Sequence, residues 1–229
     1  MGKRTRVTKK ALKHDAFVDT TAKGTKFIEE HLNRILIGVA VVLVAAGVTF
    51  MVIRAQRNAA REASALLTVA TESLSSGLLA QASDQFNGII ESYPGTRSAG
   101  AATCHLGSIR FHEQDYDGAL QYFEQYLSDY GEPGNLRVIA LQGKAAILEQ
   151  RRDFPAAAVV FTTLADEAKD QPMSAALDLL AAIRCYRAAQ DWQGMRDAAA
   201  RIVQDYPDTP SAGDARIAFA EASAFLAPE

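Results

Sequence analysis

HLGSIRFHEQDYDGALQYFEQYLSDY, residues His105 to Tyr130, carries a polar turn followed by Tyr116, Ala119, Phe123, Leu127 and Tyr130. Those spacings of three and four put all five side chains on one face of a helix. The same ladder stands earlier as Leu79, Ala82, Phe86, Ile90 and Tyr93. Later it recurs as Phe154, Ala157, Phe161, Ala165 and Ala168, and again as Trp192, Met195, Ala199, Val203 and Tyr206. The small anchor residue steps from 82 to 119 to 157, with Met195 in the fourth place, so the offsets are 37, 38 and 38. A fixed period of this length is the mark of a repeat array.

Each unit reads as a helical hairpin. Alanine is abundant, β-branched runs are short, and glycine and proline punctuate the joints: Tyr93-Pro94-Gly95-Thr96, Gly131-Glu132-Pro133-Gly134, Gln171-Pro172 and Tyr206-Pro207-Asp208-Thr209-Pro210. These breaks predict helices over 56–76, 79–92, 97–112, 117–130, 135–151, 155–169, 173–189, 193–205 and 210–226. A single hairpin cannot bury its apolar stripe; stacked neighbours can, and a last helix closes the stack. SAGDARIAFAEASAFL is that closing helix, with Ala212, Ala215, Phe219 and Ala222 expected to face the preceding repeat.

Ahead of the array, Ile35 to Ile53 is a run of 19 residues without charge or proline, fenced by Arg34 and Arg54. As a helix it spans roughly 28 Å, close to the ~30 Å hydrocarbon core of a bilayer. The expected organisation is therefore a basic tail over 1–34, a transmembrane helix over 35–53 and an α-solenoid over 54–229. A cleaved signal peptide fits poorly, because 34 residues precede the run and RAQRNAAR follows it. No cysteine lies near its end, which speaks against a lipoprotein anchor.

The first 34 residues carry nine Lys and Arg against four acids, leaving +5. Residues 55–229 carry 14 against 23, leaving −9, and with Arg54 the sum is the net −3 of the chain. Retention of short basic segments predicts a cytoplasmic N-terminus and a periplasmic array, although Arg54, Arg57 and Arg61 on the far side oppose that bias. Residues 1–12 are expected to be disordered. Phe27, Ile28, Leu32 and Ile35 share a face that predicts an interfacial helical turn entering the membrane.

The copy from Leu106 to Pro133 resembles the tetratricopeptide repeat (TPR), with Leu106-Gly107, Asp115-Tyr116-Asp117, Ala119, Phe123 and Leu127 at the family's spacing. It departs in a joint that lengthens the usual 34-residue unit, in Tyr126 where a small residue is usual, and in Met195 for the anchor alanine. The resemblance implies an all-α solenoid of about four hairpins and a capping helix. The whole layout, a basic head, one span and an array with YPGT and YPDTP joints, is similar to bacterial membrane-anchored TPR proteins of the ancillary Sec-translocon subunit type. That likeness implies a single-pass inner-membrane protein whose array binds protein partners in secretion or envelope biogenesis, translocon- or chaperone-associated. Relatives with similar arrays serve outer-membrane assembly and cell division.

Chemistry of other kinds finds little support. GxSxG, HExxH, GxxxxGK[ST] and GxGxxG are absent. Cys104 and Cys185 sit two repeats apart, roughly 20 Å on a solenoid and beyond the ~7 Å Cα limit for bridging, so both read as packing residues. His105 and His112 share a face with no carboxylate at ligand spacing, so no metal is expected. Glu113, Asp115, Asp117 and Asp129 fall at turns, where capping explains them better than acid–base catalysis. The acidic array excludes nucleic acid as a probable partner. No catalytic residue and no cofactor are assigned, and Gly38 and Gly47 do not form a GxxxG pair.

In the resembled class the first helices of successive units line a groove. Alignment on the second unit assigns to it Ser108, Phe111 and His112, then Gln142 and Glu149, then Arg184 and Arg187. Phe111 would anchor an apolar group, and the two arginines would hold a carboxylate or carbonyl. The plainer alternative is that Phe111 completes the core and both arginines are solvated.

Overall fold

The structure, a computed structural model, describes the backbone of residues 9–227 and the side chains of Arg34 and residues 36–227. Among the described residues there are nine α-helices and no strand. They are α1 (Lys9–Ser75), α2 (Leu79–Ser92), α3 (Arg97–His112), α4 (Tyr116–Asp129), α5 (Asn135–Gln150), α6 (Phe154–Glu167), α7 (Pro172–Ala188), α8 (Trp192–Asp205) and α9 (Ser211–Leu226). The chain divides into two units, Met1–Asn58 and Ala59–Glu229.

In the first unit the apolar run lies on α1 with its side chains in the open: Leu43 is 66 % and Phe50 64 % exposed. It is long and apolar enough to cross a membrane, and none of its most apolar window is buried against protein. Helix α1 starts at Lys9, which corrects the expectation of disorder for Lys9 to Leu12. KKALK is built from strong helix formers with no glycine or proline, so the helix has no reason to stop there. Residues 1–8, and the side chains of the anticipated interfacial face at Phe27, Ile28, Leu32 and Ile35, lie outside the described residues.

The second unit consists of the end of α1, the pairs α3–α4, α5–α6 and α7–α8 after α2, and the closing α9. Each turn inside a hairpin repeats one design. Gln114, Arg152 and Gln190 adopt left-handed backbone with φ of 62, 61 and 58°. Each is followed by an aspartate that caps the next helix: Asp115 accepts from Gly118 N at 3.0 Å, Asp153 from Ala156 N at 3.3 Å and Asp191 from Gly194 N at 2.9 Å. An aromatic then opens the helix, Tyr116, Phe154 or Trp192. The first turn uses Gly77 (φ 75°) in the left-handed position. Steps from 77 to 114 to 152 to 190 reproduce the offsets read from the anchors. Each aspartate cap is worth about 1 kcal/mol, which offsets much of the left-handed cost for a residue with a Cβ.

The core runs as a chain of clusters, each shared between neighbouring hairpins. Ala63 and Ala70 of α1 meet Ala82, Phe86 and Ile89 of α2 and Leu106 and Ile109 of α3. Phe123 of α4 lies with Cys104, Ala140 and Ile147. Leu141, Leu148, Leu164 and Cys185 continue the column into α7, and Leu179, Met195 and Ile202 carry it to α9. The anchors Ala82, Ala119, Ala157 and Met195 are all fully buried.

Phe123 shows how closely the helices approach. A Cβ on Gly107 would stand 2.7 Å from its ring, and one on Gly143 would run into the opposite edge. The ring is thus clamped between glycines of α3 and α5, one from its own hairpin and one from the next.

Two details of the ladder differ from expectation. In three of the four units the buried residue one turn on sits three positions along, not four, whereas in the third unit Leu164 and the expected Ala165 are both buried. Ile89, Tyr126, Leu164 and Ile202 are buried, while Ile90, Leu127 and Val203 are half-buried. Each second helix is sandwiched between two first helices, so its apolar face is wider than one stripe. In α9, Ala218 takes the inward position assigned to Phe219, which is 40 % exposed. The alanine face of Ala212, Ala215, Ala218 and Ala222 lets α9 lie close, and a phenyl ring at position 218 would hold it off.

Ion pairs tie successive repeats at a separation near one period: Arg97 with Glu132, Asp117 with Arg151, and Asp166 with Arg201. All are solvated and add little stability. They fix register more than stability.

Gly143→Ala is expected to destabilise the array by about 1–3 kcal/mol, because the Phe123 ring has Gly107 behind it and nowhere to retreat. Gly88→Ala, in the middle of α2 with nothing within 4 Å of the added Cβ, should instead stabilise it by about 0.5–1 kcal/mol. Chemical denaturation of both variants checks the pair of signs.

Candidate functional site

The first helices α3, α5, α7 and α9 present the surface on which the seven anticipated residues fall, and the structure gives each a definite setting. Ser108 donates its hydroxyl to the Cys104 carbonyl at 3.2 Å. Phe111 is half-buried and packs edge-on against Tyr116, with ring centroids 5.5 Å apart, so most of its surface belongs to the core. His112 is exposed at the end of α3. Gln142 is exposed on α5.

Glu149 accepts from Arg184 at 2.8 Å (Nη2) and 3.3 Å (Nε), and the Cys185 thiol donates to the same oxygen at 3.5 Å. Arg187 forks onto Glu221 of α9 at 3.1 and 2.7 Å. Both arginines are therefore neutralised by carboxylates of neighbouring first helices. The alternation Glu149, Arg184, then Arg187, Glu221 runs from α5 to α7 to α9 at separations of 35 and 34 residues. A guanidinium whose fork already holds one carboxylate has little left for a second.

Two shallow troughs separate these helices. One, of about 370 Å³, lies between α7 and α9 and is lined by Leu180, Ile183, Arg184, Arg187, Asp214 and Ile217. The other, of about 310 Å³, is lined by Val138 and Gln142 of α5, Leu164 and Glu167 of α6, and Ser174, Leu177 and Asp178 of α7. Of the seven anticipated residues, Ser108, Phe111 and His112 lie on α3, Arg184 and Arg187 line the first trough, Gln142 lines the second, and Glu149 lines neither. Val138, Leu177 and Asp178 were missed. Alignment on the second unit selects mainly the C-terminal halves of the first helices, and the signal for the N-terminal halves is the four-residue step from Val138 to Gln142.

Asp178 is the electrostatic oddity of the second trough. Among the described residues it has no ion pair and no side-chain hydrogen bond, and burial alone raises its carboxyl to about 6. Glu167 beside it is occupied by Arg137 at 2.7 Å. The thiols are the opposite of reactive: burial pushes Cys104 up to about 12, and burial with the Glu149 charge does the same to Cys185. Burial also lowers His105, which stacks on Phe86 with ring centroids 5.2 Å apart. No group of three metal-ligating side chains occurs among the described residues.

Because its folded value lies above the ~3.9 of an unfolded aspartate, Asp178 binds its proton more tightly in the native chain. The ionised carboxylate then costs stability, fully so above about pH 6 and not at all below about pH 4. Asp178→Asn should raise the melting temperature at pH 7.5, and the gain should fade as pH falls through 6 toward 4. A gain that is constant with pH would mean that packing, not charge, had changed.

Residues 59–229 match the family YfiO, described as "Outer membrane lipoprotein". Among solved structures, the crystal structure of a tetratricopeptide repeat protein from Parabacteroides merdae ATCC 43184 is similar, with 14 % identity and a TM-score of 0.56. The likeness covers 72 % of this chain and 61 % of that one, so the chain spans less than two thirds of that protein's length. No curated protein matches the sequence. At this identity the structural likeness bears on the fold alone, and it agrees with the repeat read from Leu106 to Pro133. The family match spans the array from its first residue to its last, and the chain belongs to the YfiO family of TPR-type helical proteins.

Proposed function

We propose that this chain is a membrane-tethered scaffold whose array holds polypeptide partners at the periplasmic face of the bacterial inner membrane. The setting is protein secretion or envelope biogenesis, beside the translocon or a chaperone. The observation that carries the reading is the pairing of an apolar helix, unburied over its most apolar window, with an array whose troughs are open and shallow. Such a tether confines the array to a plane and raises the effective concentration of partners in the same membrane. The +5 basic tail supports a cytoplasmic N-terminus and leaves the array outside.

Family membership supports an outer-membrane-directed setting as the second reading, since the family's description names an outer membrane lipoprotein. The anchoring proposed here differs from a lipid. Acylation needs an accessible cysteine, and both cysteines of this chain are buried inside the array, in α3 and α7. The apolar segment before residue 59, where the family match begins, takes over the tethering. A groove-based enzyme or sensor would call for an enclosed pocket with convergent polar groups; the open troughs and unreactive thiols favour the scaffold.

Photo-crosslinkers placed at Gln142 and at His112 in intact bacterial membranes should capture discrete membrane or periplasmic proteins, and one at Val159, exposed on α6, should not. In pull-downs through the anchor segment, the scaffold reading fails if deletion of residues 97–229 leaves the set of co-purified membrane partners unchanged.

A further inference from the structure

The trough between α5 and α7 combines two features that ordinarily exclude each other in a stable array. Its floor and rim hold exposed aliphatic side chains, Val138 at 37 % and Leu177 at 58 % exposure. Among them stands Asp178, half-buried and without a cation or donor among the described residues. A carboxylate drawn out of water without a partner costs free energy that a neutral residue would not. Cost of this kind, placed in a concave surface, marks a group kept for a ligand.

The charge of the ligand follows from what surrounds Asp178. Glu167, the other acid of the trough, is taken by Arg137 at 2.7 Å. Gln142, Gln171 and Ser174 are neutral. Four of the array's cations are spent elsewhere, Lys144 on Glu124, Arg184 on Glu149, Arg187 on Glu221 and Arg201 on Asp166, and Lys169, exposed just after the end of α6, makes no pair with Asp178. Residues 55–229 carry −9 in total, so an approaching cation is drawn in and an anion repelled. The neighbouring trough on α9 adds an exposed acid, Asp214, and an exposed aliphatic, Ile217. At about 310 Å³ the α5–α7 trough suits a few side chains of a segment laid across it.

We propose that this trough takes a partner polypeptide segment presenting a lysine or arginine beside an aliphatic side chain, the cation meeting Asp178 and the aliphatic group lying on Val138 and Leu177. The inference rests on the scaffold reading and narrows it to one chemistry of partner. A charge-assisted contact of this sort fixes which segment is chosen, and the apolar contact holds it. The opposite assignment, an anionic segment on Arg184 and Arg187, is disfavoured by the two glutamates those arginines already hold.

The test uses the full chain in lipid nanodiscs and three fluorescein-labelled heptapeptides of sequence Ala-Ser-Leu-X-Leu-Ser-Ala, with X as lysine, glutamine or glutamate, read by fluorescence anisotropy at pH 7.5. The lysine peptide should bind tightest. Asp178→Asn should weaken it by at least about fivefold, as loss of a charge-assisted contact implies, and should leave the glutamine peptide unchanged. Asp178→Glu should restore most of the affinity. Circular dichroism, with unchanged helicity, separates loss of a contact from loss of fold. No binding of the lysine peptide, binding of the glutamate peptide as tight as that of the lysine one, or an Asp178→Asn chain that binds as the parent does would each overturn the inference. If that happens while photo-crosslinks from Gln142 to membrane proteins persist, the scaffold reading stands; if those are missing too, both fall.

Discussion

The array depends on burial shared across hairpins. No hairpin here closes on itself, because its second helix carries an apolar face wide enough for two first helices, and only one belongs to its own unit. The Phe123 ring makes this literal, with Gly107 of the same hairpin on one side and Gly143 of the next on the other. Full burial of a phenylalanine removes enough apolar surface to be worth about 1.5–3 kcal/mol, and the stabilisation exists only once both hairpins are in place. Stacking is therefore a condition of folding, and the open surface of the first helices is a by-product of it: they touch second helices on one side and leave the other to solvent.

That geometry decides where charge can be used. Along the C-terminal halves of α5, α7 and α9, facing charges come in opposite signs one repeat apart, Glu149 with Arg184 and Arg187 with Glu221, and cancel. Along the N-terminal halves they do not, and Asp178 is left beside Val138 and Leu177. The same surface thus has a self-satisfied half that sets the spacing of repeats and an unsatisfied half with binding capacity to spare. A guanidinium on a groove is informative only after its partners within the chain have been counted.

Most of the fold was legible in the sequence because a repeat states its packing several times. The anchors at 82, 119, 157 and 195 and the proline-glycine joints put α2 to α9 within two residues of their observed limits. The errors are those of a one-stripe reading. A ladder of threes and fours sees a helix packed on one neighbour, so it selected Leu127 over Tyr126 and Phe219 over Ala218; a helix packed on two neighbours buries a wider arc. The left-handed turn residues Gln114, Arg152 and Gln190 carried no residue-type signal, since glycine is the usual choice; only the aspartate after each betrayed them.

The groove was less legible for a reason that goes beyond alignment. Whether Arg184 is free depends on Glu149, 35 residues earlier, and Arg137 is held by Glu167, 30 residues later. Such choices are made between side chains distant in sequence, among many candidate pairs of similar Coulomb energy at a solvated surface. Packing volumes cannot arbitrate them as they arbitrate a core. What does arbitrate is the backbone spacing imposed by the buried columns, which brings residues 34 or 35 apart into reach and leaves Asp178 without a partner. The binding character of the array is in this sense a residue of its folding: the core sets the register, the register assigns the ion pairs, and Asp178 is left unpaired inside a trough.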